Sequence, residues 1–232
     1  MFLLILGVFK TDSTKLVQNI SLIVLLVTAV ITFNETLDIE ETSLFNNSVI
    51  IDYLSSFMKI ITLLAAFLVL IISSNYLRTL KIFKIEYPIL ILSSVLGMMI
   101  MISSNDLIVF YMGLELQSLA LYVLATFNRD ELKSSEAGLK YFVLSALSSG
   151  LLLYGCSLIY GFTGSTNFNI IANQLNSNEY ALTFGIVFIL VGLAFKISAV
   201  PFHMWAPDVY EGSPTSVTLF FTMVPKIAAL TV

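Results

Sequence analysis

The chain has 232 residues, of which 58% are hydrophobic and only 11% are charged, and its mean hydropathy is +0.95. This composition excludes a soluble globular domain, which would lack polar residues to cover its surface. The net charge of −4 does not suggest a basic ligand, and no nucleic-acid partner is expected. Backbone groups in hydrocarbon must be hydrogen-bonded within the protein, and a helix achieves this within one segment. We therefore predict an all-α polytopic membrane protein.

The apolar runs predict seven membrane-crossing helices, since one crossing needs about 20 apolar residues. The first nine residues, MFLLILGVF, are apolar but too short to cross. We interpret them as a surface or re-entrant piece or as the remainder of an eighth helix. A cleaved signal peptide is disfavoured because no basic start precedes this run and no small-residue cleavage site follows it. The predicted helices are 16–33, 54–77, 87–103, 106–127, 135–161, 181–209 and 214–232.

The basic residues between these helices all lie on one side of the membrane. The opposite loops, 34–53, 104–105 and 162–180, contain no lysine or arginine and carry acidic residues instead. The basic side is therefore assigned to the cytoplasm or the mitochondrial matrix. The loop 34–53 is polar and then β-branched, which favours a short hairpin. The basic residues are Lys10, Lys15, Arg78, Lys81, Lys84, Arg129 and Lys133, and the acidic residues opposite them are Glu35, Asp38, Glu40, Glu41, Asp52 and Glu179.

The four remaining lysines fall inside apolar helices. Lys59 lies near a helix end, and we expect its side chain to extend outward to the membrane interface. A lysine at a helix centre costs roughly 2.5 to 3.5 kcal/mol on insertion scales. Lys140, Lys196 and Lys226 therefore require partners or a function that retains them.

Glu115 is the first expected partner, because it lies about ten residues from either end of its predicted helix and so near the bilayer centre. Lys140 is on the next helix, and the short connection NRDELKSS makes the two helices antiparallel neighbours. Glu115 and Lys140 are therefore predicted to approach each other at similar depth. Small residues after Lys140, among them Ser145, favour close packing there. The pair would either transfer protons or act as a static ion pair between two helices.

The stretch FKISAVPFHMWAPDVYEGSPT interrupts an apolar segment with polar residues and helix breakers. Pro201 and Pro207 disfavour a continuous helix, because proline has no backbone N–H and restricts the residue before it. Segment 181–209 is therefore predicted to be one interrupted helix. A wet pocket is expected at the break, since carbonyls freed within a membrane need protein groups or water.

Two titratable residues flank this break. Lys196 lies one turn before it, near the negative end of the first half-helix, where a cation is favoured. His203 lies just after it and is suited to taking up and releasing protons near neutral pH. The alternative for His203 is a histidine that only packs against its neighbours.

The next predicted helix begins with Ser213 as its cap and Pro214 at its first position. Lys226 follows twelve residues later, about 18 Å into the membrane at helical rise. Titratable groups from four successive helices would thus lie at similar depth, and water at the break would link them for proton transfer. The candidate proton-transfer residues are Glu115, Lys140, Lys196, His203 and Lys226.

Redox and metal chemistry find no support in the sequence. The single cysteine, Cys156, lies in an apolar helix and is expected to pack as a small hydrophobe. One cysteine and one histidine cannot supply an iron–sulfur, haem or ordinary metal site. Phosphate-binding loops and dinucleotide fingerprints are absent as well. No cofactor is therefore expected in this chain.

Three segments carry several motifs in order: ELQSLALYVLA, EAGLKYFVLSALSSGLLLYGCSLIYG and FKISAVPFHMWAPDVYEGSPTSVT. They resemble the NADH dehydrogenase subunit 2 family, whose members are antiporter-like membrane subunits of respiratory complex I. The resemblance is strong over residues 85–232 and weak before them. It implies that Glu115 and Lys140 match the family's intramembrane glutamate and lysine pair. Lys196 would match the lysine on the interrupted helix, and Lys226 the central lysine of the helix that follows.

The resemblance also implies a function for the chain. Proton transfer through it would be coupled to quinone reduction elsewhere in the complex. FMN, iron–sulfur clusters and ubiquinone would be bound by other subunits. The expected partners are the other membrane subunits of complex I and lipids.

The chain differs from the family in extent. Members have two inverted five-helix repeats, each with a broken helix, and this chain covers the N-terminal helices (1–84) and the first repeat (85–232). We expect a second polypeptide to supply the other repeat, or the sequence to be truncated. A complete proton channel is therefore not expected in this chain alone.

Two alternative functions remain. The chain would be a subunit of a stand-alone cation/proton antiporter or membrane hydrogenase, or a split half retained for assembly in which the lysines are paired and inert. Isoleucine, asparagine, serine and phenylalanine are abundant, and the match to organellar forms favours the mitochondrial inner membrane. The bacterial plasma membrane is the alternative location.

Overall fold

The computed structural model describes residues 2–9, 14–37, 42–174 and 180–231, and most of these residues are helical. The predicted all-α class is confirmed. Lys10, Asp38, Glu40, Glu41 and Glu179, which entered the charge assignment, lie outside the described residues. The helices are α1 (Phe2–Phe9), α2 (Thr14–Leu37), α3 (Tyr53–Thr79), α4 (Glu86–Ile102), α5 (Leu107–Ala125), α6 (Leu132–Thr163), α7 (Phe168–Gln174), α8 (Tyr180–Lys196), α9 (Trp205–Gly212) and α10 (Thr215–Ala229), and the strands are β1 (Thr42–Leu44) and β2 (Val49–Ile51).

Four of the described helices, α2, α3, α5 and α6, are long and apolar enough to cross a membrane. Three shorter apolar helices, α4, α8 and α10, lie where the other crossings were predicted. Helix α1 has eight residues and, as expected, is too short to cross. Helix α6 has 32 residues, or about 48 Å at helical rise, and therefore extends well beyond a hydrocarbon layer of about 30 Å.

The interrupted helix is confirmed. Helix α8 ends at Lys196 and α9 begins at Trp205, with the predicted breaker Pro201 between them. The Trp205 indole N–H donates to the Phe195 carbonyl at 2.9 Å, so a carbonyl freed at the end of α8 is satisfied by protein. The predicted Ser213 cap is wrong: α10 begins after Pro214 without a side-chain cap, and the Ser213 hydroxyl has no hydrogen-bond partner in the described structure.

Glycines bring the central helices close together. A Cβ atom at Gly97 of α4 would lie only 2.5 Å from the Gln117 backbone nitrogen of α5. A Cβ at Gly155 of α6 would lie 2.7 Å from the Gly185 carbonyl oxygen of α8. Small residues at these crossings allow the backbones to touch, as helix packing in lipid requires. Helix α6 is thus held against α8, and α5 against α4, around the candidate site.

The predicted hairpin is also confirmed. Strands β1 and β2 pair antiparallel, with Thr42 opposite Ile51. The Ile50 backbone N–H donates to the Ser103 carbonyl at 2.9 Å, and Asn105 N–H donates to the Ser48 carbonyl at 2.9 Å. The hairpin therefore covers the end of α4 and the start of α5 on the side of the acidic loops.

Candidate proton-transfer site

Lys196 is the buried centre of the candidate site. It is the last residue of α8, and only 9% of its surface is exposed. Its Nζ donates to the Ser145 hydroxyl at 2.7 Å, the Ser118 hydroxyl at 2.9 Å and the Tyr122 hydroxyl at 3.4 Å. The ammonium group is thus bound by neutral hydroxyls from α5 and α6.

Helical spacing explains why these hydroxyls converge. Glu115, Ser118 and Tyr122 are three and four residues apart, so they share one face of α5. Ser145 projects from α6 toward the same point, and the Tyr122 hydroxyl donates to it at 2.7 Å. The Ser118 hydroxyl donates to the Leu114 carbonyl at 2.7 Å, which leaves its lone pairs to accept from the lysine.

Glu115 lies beside this cluster without a bonded partner. Its Oε1 atom is buried and accepts no hydrogen bond from any described residue. Glu115 nevertheless interacts electrostatically with Lys196, although no ion pair joins them within 4.0 Å in the described structure. The carboxylate therefore lies near the lysine without binding the ammonium directly.

Lys140 does not approach Glu115, so the predicted pairing of these two residues is wrong. Its Nζ lies 2.7 Å from the Glu136 carboxylate and 2.7 Å from the Asp208 carboxylate, and 43% of its side chain is exposed. The rotation of α6 about its own axis explains why Lys140 points away from α5. Gly138 of α6 packs closely on α5, and Lys140 lies about 200° around the helix from it.

The surroundings of Lys140 form a charged cluster that joins α6 to α9. Lys133 and Glu211 form a second, more exposed ion pair there, at 3.4 Å. Lys140, Glu136 and Asp208 line the same open cavity of about 180 Å³. Exposed ion pairs of this kind contribute little to stability. The cluster therefore resembles a solvated surface more than a buried proton site.

Lys226 contacts the break in the interrupted helix. Its Nζ donates to the Ser198 hydroxyl at 2.8 Å and lies 5.5 Å from the centre of the Tyr210 ring. Ser198 has a φ of 58°, in the left-handed region that non-glycine residues rarely adopt. The lysine of α10 thus binds a residue whose backbone belongs to the break, two positions after Lys196.

His203 is not brought to this cluster. It lies within the break and is exposed, and its imidazole makes no hydrogen bond with the described residues. The residue that packs inward is Trp205, whose ring stacks on Tyr141 at 4.7 Å between centroids and on Phe195 at 5.7 Å.

The cavity beside the break is not the wet pocket that was predicted. It has a volume of about 210 Å³ and, apart from Ser148, is lined by apolar residues that include Leu147, Pro201 and Met204. The polar groups near the break are instead the hydroxyls around Lys196. A protein group, the Trp205 indole, satisfies a freed carbonyl of the interrupted helix here.

The prediction for Lys59 is wrong. Only 8% of its surface is exposed, so the side chain does not extend outward from α3. Ser55, Ser56 and Thr62 are buried as well, and their spacing places a polar stripe with Lys59 inside the helix bundle. Cys156 is buried, as expected of a packing residue.

Sequence reasoning missed the hydroxyls that hold Lys196. The prediction treats Ser145 as a small packing residue and does not include Ser118 or Tyr122. The signal was present in the helical spacing of Ser118 and Tyr122 from Glu115. In the described ranges, no group of three or more histidine, cysteine, aspartate or glutamate residues could hold a metal ion.

The chain is similar to membrane subunits of known function. Residues 104–232 match the family model described as NADH:quinone oxidoreductase/Mrp antiporter, TM. NADH-quinone oxidoreductase subunit N of Pelagibacter ubique is 72% identical over 232 residues, covering 100% of this chain and 49% of the relative. The same subunit of Maricaulis maris is 56% identical, covering 99% and 48%. The chain spans about half the length of these relatives.

Two solved structures have the same fold as this chain. A chain of respiratory complex I from Thermus thermophilus superposes with a TM-score of 0.81 at 30% identity, covering 99% of this chain and 51% of that one. A chain of an archaeal membrane-bound sulfane sulfur reductase gives a TM-score of 0.84 at 24% identity over 99% and 48%, which shows a shared fold. The protein, a multi-pass membrane protein, therefore belongs to the NADH:quinone oxidoreductase/Mrp antiporter transmembrane family.

Proposed function

We propose that this chain forms part of a proton-translocating membrane subunit of an NADH:quinone oxidoreductase, respiratory complex I. The names of its curated relatives support this assignment, as does the identity to a complex I chain. The observation that carries it is the Lys196 ammonium, buried among hydroxyls beside the unpaired Glu115 carboxylate.

Hydroxyl groups suit a lysine that must gain and lose a proton. A hydroxyl oxygen accepts a hydrogen bond from an ammonium, and its O–H donates to a neutral amine. Ser145 accepts from both Lys196 and Tyr122 in the structure. When Lys196 releases its proton, the Ser145 O–H rotates to donate to the amine lone pair. Both protonation states of the lysine therefore remain hydrogen-bonded, which keeps the free energy of transfer small.

Glu115 would set which protonation state Lys196 prefers. A carboxylate near the lysine stabilises the ammonium, and moving the carboxylate away removes that stabilisation. Because no described residue bonds Glu115 to the lysine, a small shift of the Glu115 side chain changes their distance without breaking the hydrogen bonds between Lys196 and the hydroxyls. Such a shift would couple a conformational change in the complex to proton release.

The other candidate residues take places around this centre in the proposal. Lys226 would exchange protons with Lys196 across the break, through Ser198 and water. His203, which is exposed, would connect the centre to the aqueous side, and Lys140 would contribute a fixed positive charge there. Glu115, Lys196 and Lys226 carry most of the proposed transfer.

We also propose that redox chemistry and assembly involve other subunits. Quinone reduction, with FMN, iron–sulfur clusters and ubiquinone, would take place in other subunits, so this chain contributes no redox centre. Other complex I membrane subunits and lipids would be its partners. A separate polypeptide that supplies the second repeat stays a prediction. The boundary near residue 84, between the N-terminal helices and the first repeat, stays a prediction as well.

We infer that the membrane is the bacterial plasma membrane. The curated relatives are NADH-quinone oxidoreductase subunits from bacteria such as Pelagibacter ubique and Maricaulis maris. This favours the second of the two predicted locations over the mitochondrial inner membrane. Fractionation of the cells would test it directly.

The test is to replace Lys196 with methionine in the intact complex and to measure NADH-driven proton pumping in membrane vesicles. Pumping should collapse while the assembled complex remains, because methionine fills similar space without a titratable group. Lys133→Met is the matched control, since Lys133 is an exposed lysine of the charged cluster. Unchanged pumping in Lys196→Met would overturn the proposal, and loss of assembly alone would favour a structural role.

A second candidate is a subunit of a cation/proton antiporter. It is supported by the family model, which includes Mrp antiporters, and by a chain of the Mrp complex from Dietzia with a TM-score of 0.75 at 25% identity over 96% of this chain and 45% of that one. Cation flux in vesicles without NADH or quinone would support this candidate. Co-purification with a flavin and iron–sulfur arm would exclude it.

A further inference from the structure

Basic residues on the basic side of the membrane differ in their partners. Lys133 and Lys140 on α6 take part in all three ion pairs between described residues. Four other basic residues lie at the start of α2 and around the turn from α3 to α4, and their side chains are exposed. No described carboxylate lies within 4.0 Å of their charged nitrogens. We call these four the basic patch, which consists of Lys15, Arg78, Lys81 and Lys84.

Arg78 is held in a fixed orientation within the basic patch. Its Nη2 atom donates to the Gln18 Oε1 atom at 2.6 Å, and its guanidinium carbon lies 5.1 Å from the centre of the Phe83 ring. Gln18 is only 6% exposed, so α2 anchors the guanidinium from inside the bundle. A guanidinium has five N–H donors, and the described residues engage only one of them. The other donors are free to bind an anion, and their planar arrangement matches a phosphate group.

The course of the chain brings the three lysines close to Arg78. Lys81 has a φ of 58°, and its backbone N–H donates to the Arg78 carbonyl at 3.0 Å, so the chain turns back over the end of α3. Lys84 lies three residues further on, just before α4 begins. Lys15 precedes Gln18 by three residues and shares its face of α2. The patch therefore combines one oriented guanidinium with three surrounding ammonium groups.

The surroundings of the basic patch indicate what kind of molecule it binds. Glu86, the first residue of α4, is exposed and forms no ion pair with a described residue, so the patch keeps a net positive charge. Leu16 and Leu80, each next to a lysine of the patch in the sequence, are 36% and 48% exposed. Cations beside exposed apolar side chains fit a ligand that has both an anionic group and hydrocarbon chains.

We propose that the basic patch binds an anionic phospholipid in the leaflet on the basic side, with the lipid phosphate at the Arg78 guanidinium. Lys15, Lys81 and Lys84 attract the negative charge of the headgroup. The acyl chains lie against the apolar surface beside it, which includes Leu80. A zwitterionic phospholipid has the same phosphate but no net charge, so it binds more weakly. This inference rests on the membrane location of the chain and not on proton pumping.

The first test identifies the phospholipid at the basic patch. The intact membrane assembly would be reconstituted in phosphatidylcholine nanodiscs with a trace of a probe lipid that carries a diazirine in its acyl chain. The probe would have a phosphatidylglycerol or a phosphatidylcholine headgroup, and mass spectrometry would quantify its attachment to residues 78–84 after irradiation. The anionic probe should attach at least about fivefold more than the neutral one, since each cation near a membrane surface contributes about this factor. Equal attachment of the two probes would overturn the proposal.

Arg78→Gln tests the contact with the phosphate. The ratio of anionic to neutral probe attachment should fall about fivefold, because the variant removes one positive charge and the oriented donors. Lys133→Gln is the matched control, since Lys133 is an exposed cation of the same side that is paired with Glu211. The ratio should stay the same in this control. An unchanged ratio in Arg78→Gln, or an equal decrease in both variants, would overturn the proposal.

A double variant, Lys81→Gln with Lys84→Gln, keeps the proposal testable if Arg78→Gln prevents assembly. It leaves the hydrogen bond between Arg78 and Gln18 and the contact with Phe83 in place. The ratio of anionic to neutral probe attachment should again fall at least about fivefold. An assembled double variant with an unchanged ratio would show that the lysines do not attract the lipid, and the proposal would be wrong.

Two other occupants of the basic patch are distinguished by the same measurement. Inorganic phosphate at millimolar concentration, compared with chloride at equal ionic strength, should leave attachment of the anionic probe unchanged, because a free anion gains nothing from the apolar surface. Displacement of the probe would show a site for a free anion and would overturn the lipid. Attachment of neither probe at residues 78–84 would show that another subunit covers the patch, which would also overturn it. None of these results depends on pumping, so they are distinguishable from failure of the proposed function.

Discussion

Lys196 and Lys140 are both lysines in apolar helices, yet the structure places them in opposite environments. Lys196 is buried and bound by neutral hydroxyls, while Lys140 is half-exposed and bound by the carboxylates of Glu136 and Asp208. Hydroxyls bind the charged and the neutral amine alike, whereas paired carboxylates hold the lysine in its charged form. A lysine's position in an apolar helix therefore does not identify a proton site, and its partner groups do.

Arginine at each position should separate the two lysines most clearly. Arginine keeps the positive charge but does not release its proton. We expect Lys196→Arg to lower proton pumping by at least about a hundredfold, in the range of general acid–base contributions. Lys140→Arg should keep most of the pumping, because an ion pair needs only the charge. Proton pumping would be measured in vesicles for both variants, and the amount of assembled complex would control for misfolding. Equal losses of pumping in the two variants would contradict the distinction between Lys196 and Lys140.

Removal of a hydroxyl from the Lys196 cluster should have the next largest effect. Ser145→Ala takes away the acceptor of both the lysine and Tyr122. The loss of about 1 kcal/mol of hydrogen bonding corresponds to a decrease in pumping rate of about fivefold. Ser145→Thr retains the hydroxyl and should recover most of the rate. If Ser145→Thr is as slow as Ser145→Ala, packing and not hydrogen bonding is responsible.

Tyr122→Phe should have a smaller effect. The Tyr122 hydroxyl lies 3.4 Å from Lys196, longer than the two serine contacts, and the ring remains in the variant. We expect the pumping rate to decrease by about twofold. Phe142→Leu, which alters another ring packed against Tyr122, controls for the aromatic contact. A decrease larger than that of Ser145→Ala would show that the tyrosine is the main partner.

The smallest effect is expected in the exposed cluster. Asp208→Asn removes one of the two carboxylates bound to Lys140, and Glu136 still pairs with it. Because exposed ion pairs contribute little, pumping should change by less than about twofold and thermal stability of the complex should stay the same. A large loss of pumping would place Lys140 in the main transfer path and remove the contrast with Lys196.

The interrupted helix shows how far local chemistry predicts this fold. Pro201 and the polar residues around it placed the break correctly, because proline removes a backbone donor whatever its surroundings are. The hairpin after α2 was predicted from the polar and β-branched residues of one loop. The apolar helices were predicted from length and composition, since hydrocarbon imposes these requirements on each segment separately.

The partners of the lysines could not be predicted in the same way. Pairing Glu115 with Lys140 assumed the correct antiparallel order of α5 and α6 but not the rotation of α6. That rotation depends on the close contact of Gly138 with Thr126 and on the hydrogen bond between Tyr122 and Ser145. Each contact joins residues distant in sequence, so no local pattern reveals it.

Membrane location, the course of the helices, the position of the break and the titratable side chains within apolar helices can all be predicted from the amino-acid sequence alone. These properties follow from the solvation of each residue and of its own backbone. The packing of the helices is what brings Lys196 to hydroxyls, Lys140 to carboxylates and Lys59 into the interior. Those outcomes depend on how each helix is rotated against its neighbours, and the close packing of the whole bundle sets that rotation.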